Sequence, residues 1–280
     1  MKAANIRLAK TAGFCFGVNK AVNMVRDLLD EGRQVCTLGP IIHNPQVVEE
    51  LTERGVRIVE VPEEVPAGCV LVIRSHGVAK SVYGEIEERG LRCVDATCPF
   101  VAKIHRIVAA NSGEKTAVLI AGDPGHPEVL GIRGHCAGTS FVFRNREELA
   151  QQLKIIQSGD FASCIMVSQT TFHTLEWEKC TEIAKKSCTN LQIFDTICNA
   201  TANRQQEAIH LAQQCHKMVI VGGRESSNTA KLRDVCAPYG PAYLVEDALE
   251  IQRDWFCAGE TVGLTAGAST PAEIIKEVPH

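Results

Sequence analysis

Val94-Asp95-Ala96-Thr97-Cys98 and Phe194-Asp195-Thr196-Ile197-Cys198 share one pattern: an apolar residue, an aspartate, two further residues and a cysteine. Thr11-Ala12-Gly13-Phe14-Cys15 is a looser copy. Each of these cysteines follows a short apolar stretch (Ile6 to Ala9, Leu91 to Val94, Leu191 to Phe194). Each is followed 28 residues later by a polar loop, at His43, His126 and Ser226 respectively. A chain that copies one unit three times and opens each copy with a thiol can bring three thiolates to one pseudo-threefold centre. Three thiolates around an unclaimed fourth position suit a metal site that also binds a ligand.

A helical pattern follows each cysteine. After Cys15 it is Val18, Ala21, Val22, Val25, Leu28 and Leu29, an i, i+3, i+4 stripe closed by Gly32. After Cys98, Pro99 suits a first helical turn, and Val101, Ile104, Ile107 and Val108 continue at helical spacing. After Cys198 the pattern is alanine-rich, with Ala208, Ile209 and Ala212 on one side. A helix start presents the positive end of the peptide dipoles, which favours the thiolate form a metal needs. The second loops follow strand-like runs at Val35 to Leu38, Ala117 to Ala121 and Met218 to Val221. A third loop closes each copy after another apolar run: Ser75-His76-Gly77, Ser168-Gln169-Thr170-Thr171 and Thr265-Ala266-Gly267-Ala268-Ser269. Continuous runs such as Val70 to Ile73 predict strands buried on both faces, and therefore a parallel sheet. The nine loops read as three βα units per copy. Ligands of open parallel sheets bind beyond the carboxyl ends of the strands, where these loops fall. The expected fold class is α/β. Three pseudo-symmetric lobes with mainly parallel sheets would span residues 1–97, 98–197 and 198–280 and turn their loops towards one cavity.

Size and composition narrow the class. With 280 residues and 45% hydrophobic content, the chain can bury large cores. A net charge of −4 and a pI near 6.2 give no basic field, which argues against nucleic acid as a partner. No apolar run approaches the length that crosses a bilayer. Met1 to Lys10 has no apolar core of signal-peptide length, so a cytoplasmic setting is expected. Thirteen cysteines then point to reduced thiols and metal chemistry more than to disulfides. Cys36, Cys69, Cys93 and Cys164 lie in apolar runs, where cysteine packs as a small hydrophobe. Cys136, Cys180, Cys188, Cys215, Cys236 and Cys257 have no counterpart in the other copies and are expected to be structural. No coiled-coil pattern is present, and a monomer is expected.

The spacings between Cys15, Cys98 and Cys198 match no short zinc or ferredoxin motif. A zinc ion would want a fourth protein ligand, which a loop histidine could supply. An iron–sulfur cluster on three thiolates would leave one iron open to polarise a substrate oxygen and pass electrons into it. His43, His76 and His126 occupy loops of the first two copies. His126-Pro127-Glu128 suits a helix start, and it also sets an imidazole and a carboxylate two residues apart, fit to pass a proton. Ser226-Ser227-Asn228, before a helix through Lys231 and Leu232, offers hydroxyls, an amide and backbone N–H groups to a phosphate. The same residues make an ordinary N-cap. Thr170, Thr201 and Ser269 add hydroxyl donors. Neither a Walker-type phosphate loop nor a glycine-rich dinucleotide fingerprint occurs, so nucleotide binding is poorly supported. These parts suit a small phosphorylated alcohol or polyol. Redox chemistry and dehydration would both use them.

The ordered set of motifs sharpens this reading. Gly13-Phe14-Cys15-Phe16-Gly17-Val18, Ile42-His43-Asn44, Ser75-His76-Gly77-Val78 and Asp95-Ala96-Thr97-Cys98-Pro99 come first. Gly125-His126-Pro127-Glu128, Ser168-Gln169-Thr170-Thr171, Ile197-Cys198-Asn199-Ala200-Thr201, Ser226-Ser227-Asn228 and Thr265-Ala266-Gly267-Ala268-Ser269-Thr270-Pro271 follow. In this order the chain resembles the 4-hydroxy-3-methylbut-2-enyl diphosphate reductase family, which catalyses the last step of the non-mevalonate isoprenoid pathway. The resemblance covers nearly the whole chain. It implies one [4Fe–4S] cluster per chain, central to the three lobes and held by Cys15, Cys98 and Cys198, with an open fourth iron that takes the substrate oxygen. It implies a diphosphate held by His43, His76, His126, Ser226, Ser227, Asn228 and Ser269, a hydroxyl ordered by Thr170, and protons supplied through Glu128. The implied reaction is reductive dehydroxylation of (E)-4-hydroxy-3-methylbut-2-enyl diphosphate. Two electrons and two protons remove the allylic oxygen as water, giving isopentenyl and dimethylallyl diphosphates. Electrons would come from a ferredoxin- or flavodoxin-like partner, since the chain carries no flavin or nicotinamide module. The competing readings are a redox-neutral iron–sulfur hydro-lyase and a non-enzymatic metal- or redox-sensing protein.

Overall fold

The computed structural model describes residues 5–188 and 190–278. The outermost residues of the expected 1–97 and 198–280 segments therefore lie outside the described residues. Strand and α-helix alternate along most of the chain, and the described strands form three four-stranded sheets. Every strand pairing among them is parallel.

Strand β1 (Asn5–Leu8) leads through Cys15 into helix α1 (Phe16–Asp30). The predicted stripe is the buried face of α1: Ala21, Val22 and Val25 are fully buried. Gly32, at φ +72°, closes the helix, as a left-handed residue after a helix should. Then come β2 (Val35–Leu38), α2 (Pro45–Glu53), β3 (Arg57–Val59), β4 (Val70–Ile73), α3 (Lys80–Glu88) and β5 (Arg92–Asp95). They supply a sheet of order β3-β2-β4-β5. After Cys98 follow α4 (Pro99–Asn111), β6 (Thr116–Ala121), α5 (Pro127–Gly134), β7 (Thr139–Phe143), α6 (Arg146–Ser158), β8 (Ser163–Ser168), α7 (Thr174–Ser187) and β9 (Leu191–Ile193). Their sheet order, β7-β6-β8-β9, is the same pattern. After Cys198 come α8 (Asn199–Gln214), β10 (Lys217–Val221), α9 (Ser227–Cys236), β11 (Ala242–Val245), β12 (Thr261–Ala266) and α10 (Ala272–Glu277).

The third sheet has the order β1-β12-β10-β11. Strand β1, which the 1–97 boundary groups with the first copy, therefore completes the sheet of the third, with Asn5 to Leu8 in register with Thr261 to Leu264. In each copy the strand before the cysteine is the outer strand of the preceding sheet, and β1 plays that part for the last one. Four strands per sheet also exceed the three per copy read from the sequence. The unforeseen strands β3, β7 and β11 are sheet edges with partly exposed residues, so they lack the unbroken apolar run of a central strand.

Both faces of the central strands are covered. Ala117, Leu119 and Ala121 of β6 enter one apolar core, while Val118 and Ile120 enter another. In β10, Met218 and Ile220 divide from Val219 and Val221 in the same way. The chain divides into two compact units. One comprises Met1–Asn19, Ile42–Glu53 and Asn199–His280; the other comprises Lys20–Ile41 and Arg54–Cys198, with the first two sheets. No helix among the described residues is long and apolar enough to cross a membrane.

Candidate active site

In the unit with the first two sheets, the candidate residues sit at the carboxyl ends of β4, β6 and β8. His126 caps α5, and its Nδ1 accepts the N–H of Glu128 at 3.1 Å. The proton of the neutral ring therefore lies on Nε2, which can donate to an anionic oxygen. Glu128 is 2% exposed. Its carboxylate accepts the N–H of Thr170 at 2.6 Å through one oxygen and the Thr170 hydroxyl at 2.8 Å through the other. A carboxyl group fixed through both oxygens at a helix start has one set orientation. The His76 and His126 rings lie edge to face with centroids 5.3 Å apart. Cys98 donates its N–H to the carbonyl of Ser75, next to His76, and Cys198 donates its N–H to the carbonyl of Thr170.

The other unit holds His43, Ser226, Ser227, Asn228 and Ser269. Ser226 caps α9, its hydroxyl accepting the N–H of Thr229. The Ser269 hydroxyl donates to the His43 carbonyl at 3.0 Å and lies 3.5 Å from the Ser226 hydroxyl. Asn228 is 4% exposed, and neither its amide oxygen nor its amide nitrogen has a hydrogen-bond partner among the described residues. Burying both ends of an amide unpaired is unfavourable, and a polar ligand at the start of α9 would relieve it. Gly222 and Gly267 come close to Thr229: a Cβ would stand 2.7 Å and 2.1 Å from its hydroxyl, respectively, so both loop positions exclude any side chain. Cys15 repeats the arrangement of the other two cysteines, its N–H bonding the carbonyl of Ala268, next to Ser269. The backbone of each repeated cysteine is thus tied to the third loop of a copy. Thr201 lies buried in the first turn of α8.

A family model described as LytB protein matches residues 6–280. The chain belongs to the LytB family. Among the relatives of this LytB chain, the 4-hydroxy-3-methylbut-2-enyl diphosphate reductase of Caldanaerobacter subterraneus subsp. tengcongensis is 40% identical over 98% of the chain and 94% of the relative. The protein of that name from Trichlorobacter lovleyi is 43% identical, over 97% and 95%. The solved structure of (E)-4-hydroxy-3-methyl-but-2-enyl diphosphate reductase, the terminal enzyme of the non-mevalonate pathway, is 36% identical. Its TM-score is 0.68, over 98% of this chain and 97% of that one. The E-1-hydroxy-2-methyl-but-2-enyl-4-diphosphate reductase of Plasmodium falciparum shares the fold, with a TM-score of 0.87 at 24% identity, over 98% and 86%.

Each of the three repeated cysteines, taken by itself, has the donor chemistry of a cluster ligand. Cys15, Cys98 and Cys198 are half-buried thiols at equivalent turns. Most others are spoken for by packing. Burial pushes the thiols of Cys93 and Cys136 up to about 11 and those of Cys164, Cys180 and Cys236 up to about 12, so they remain protonated and poor ligands.

Two polar residues were not singled out from the sequence. Lys231 donates from Nζ to the Ser227 hydroxyl, bringing a cation to the first turns of α9. Its place four residues after Ser227 was the available signal. Arg204 is 5% exposed and donates to the carbonyl of Gly13, two residues before Cys15. Thr201, Arg204, Gln205 and Ala208 form the buried stripe of α8, which a search for apolar periodicity reads only at its alanine end.

Proposed function

We propose that this chain reduces (E)-4-hydroxy-3-methylbut-2-enyl diphosphate to isopentenyl and dimethylallyl diphosphates. The observation that carries the reading is the buried Glu128 carboxyl group, gripped by Thr170, in a chain whose full-length relatives bear the name of that reductase. A [4Fe–4S] cluster on Cys15, Cys98 and Cys198, when bound, would supply electrons and one open Lewis-acidic iron. His126 would donate from Nε2 to the diphosphate, with His43 and His76 as further imidazole contacts. The Ser226, Ser227 and Ser269 hydroxyls and the Asn228 amide would complete the grip. Thr170 would orient the allylic hydroxyl while holding Glu128, and Glu128 would deliver protons as the oxygen leaves as water. The balance is two electrons and two protons per substrate.

The electrons would come from an external ferredoxin- or flavodoxin-like donor to a cytoplasmic, monomeric enzyme. The lobes would divide near the second and third of the three cysteines. Iron and sulfide analysis of anaerobically purified protein, followed by assay with the allylic diphosphate, tests the proposal. Turnover should require reductant. Turnover without it would mean a hydro-lyase, and a colourless zinc protein indifferent to the diphosphate would mean a sensor.

A further inference from the structure

We propose that His105 is a positioning residue whose ring keys the His76 loop onto the helix that begins at His126, so that it sets the spacing of the two diphosphate-binding histidines. This rests on the function proposed above. His105 lies on the buried face of α4, 5% exposed, beside Ile104 and Val108. Burial moves its pKa down to about 4, so the ring is neutral near pH 7.

The surrounding backbone is cut to this ring. Gly77, next to His76, holds φ +69°, and a Cβ there would stand 2.6 Å from His105 Cε1. Gly131, inside α5, would bring a Cβ to 3.2 Å from His105 Nε2 and 3.6 Å from the His76 carbonyl. Glycine is disfavoured in a helix interior, so a close approach is the physical reason to find one there. Gly134, one turn on, abuts Ala79, where a Cβ would come to 2.2 Å from the alanine methyl. The His105 ring also stacks on His135, at 4.1 Å between centroids and 18° between planes. His135 caps the end of α5 and returns a ring nitrogen to the Val78 carbonyl at 3.1 Å. Gly77, Val78 and Ala79 are therefore each engaged in turn, by His105, His135 and Gly134. Loop and helix move as one piece only while the imidazole fills the gap between them.

The test uses the anaerobically prepared holoenzyme and four proteins: wild type, His105→Ala, Gly131→Ala and the double variant. KM and kcat for the allylic diphosphate, the inhibition constant of inorganic diphosphate, iron content and melting temperature are measured. In His105→Ala and in Gly131→Ala, KM and the inhibition constant should rise about tenfold or more at full iron content, with kcat changed less. In the double variant the added methyl enters the space left by the ring, so the two effects should fall well short of additive. Wild-type KM and inhibition constants in both single variants would overturn the proposal. So would melting temperature and kcat falling together at unchanged KM, or strict additivity in the double variant. If His105→Ala does not fold, Gly131→Ala decides alone. Absence of turnover in the wild type would defeat the functional reading instead, and inorganic diphosphate binding would still report on His105.

Discussion

Replacing Glu128 by glutamine should nearly abolish turnover while leaving the protein folded and its iron in place. The carboxylate accepts two hydrogen bonds from Thr170, at 2.6 Å from the N–H and 2.8 Å from the hydroxyl. In Glu128→Gln the amide oxygen can still accept the N–H, and the amide nitrogen can donate to the hydroxyl oxygen with that bond reversed. What is lost is charge assistance, worth about 1–2 kcal/mol over the pair, and the melting temperature should fall by only a few degrees. The catalytic loss should be far larger, because a positioned proton donor contributes roughly 10²- to 10⁴-fold. Thr170→Val should cost less, since the backbone N–H still orients the carboxyl group. The double variant should then be little worse than Glu128→Gln alone. The assay is reductant-dependent product formation at matched iron and sulfide content. Product formation by Glu128→Gln within about twofold of wild type would remove Glu128 from the proton path, because that loss is far below what a positioned donor supplies.

Other outcomes follow from the same geometry. Cys98→Ser should lose iron from the purified protein, whereas Cys236→Ala, whose buried thiol is pushed up to about 12, should retain it all; metal analysis of both decides. Asn228→Ala should weaken inorganic diphosphate binding by about tenfold, as expected for a lost polar contact to a charged ligand. The ligand-free variant should melt no lower than wild type, because both removed amide atoms are buried without a partner among the described residues; calorimetry measures each half. His105 also predicts a pH dependence. Its folded pKa of about 4 lies below the ordinary value near 6.5, so the unfolded chain binds the extra proton. The stability it contributes is complete above about pH 6.5 and declines towards pH 4, by at most about 3 kcal/mol. Denaturant unfolding of His105→Phe should show a shallower slope across that window. An identical slope would refute the assignment.

The parts of this fold that could be read in advance are those where the chain repeats itself. Asp95 and Asp195 sit at matching distances before their cysteines, and Val70 to Ile73 forms a doubly buried strand because it is apolar without a break. An edge strand such as Thr139–Phe143, exposed or half-buried along most of its length, needs no such run, so its presence was not foreseen. The buried stripe of α8 escaped for a related reason: Arg204 and Gln205 are polar, and burial of a polar side chain leaves no mark on hydropathy. The site divided likewise. His126 and Glu128 were visible as a helix start carrying proton chemistry, but the fixed orientation of the Glu128 carboxyl group depends on Thr170, 42 positions along the chain. Gly131 carries no signal of its own in the sequence, because its role exists only beside the imidazole that packs on it.

The parallel pairing of Asn5–Leu8 with Thr261–Leu264 imposes an order on biosynthesis. This strand leaves the ribosome before the first two sheets are made, and the strand it pairs with emerges only after them. At roughly 5–20 residues per second, it waits on the order of tens of seconds for that partner. Meanwhile the two intervening sheets can complete themselves from contiguous chain. A disruption confined to Asn5–Leu8 would therefore spare early folding and damage the last sheet to close.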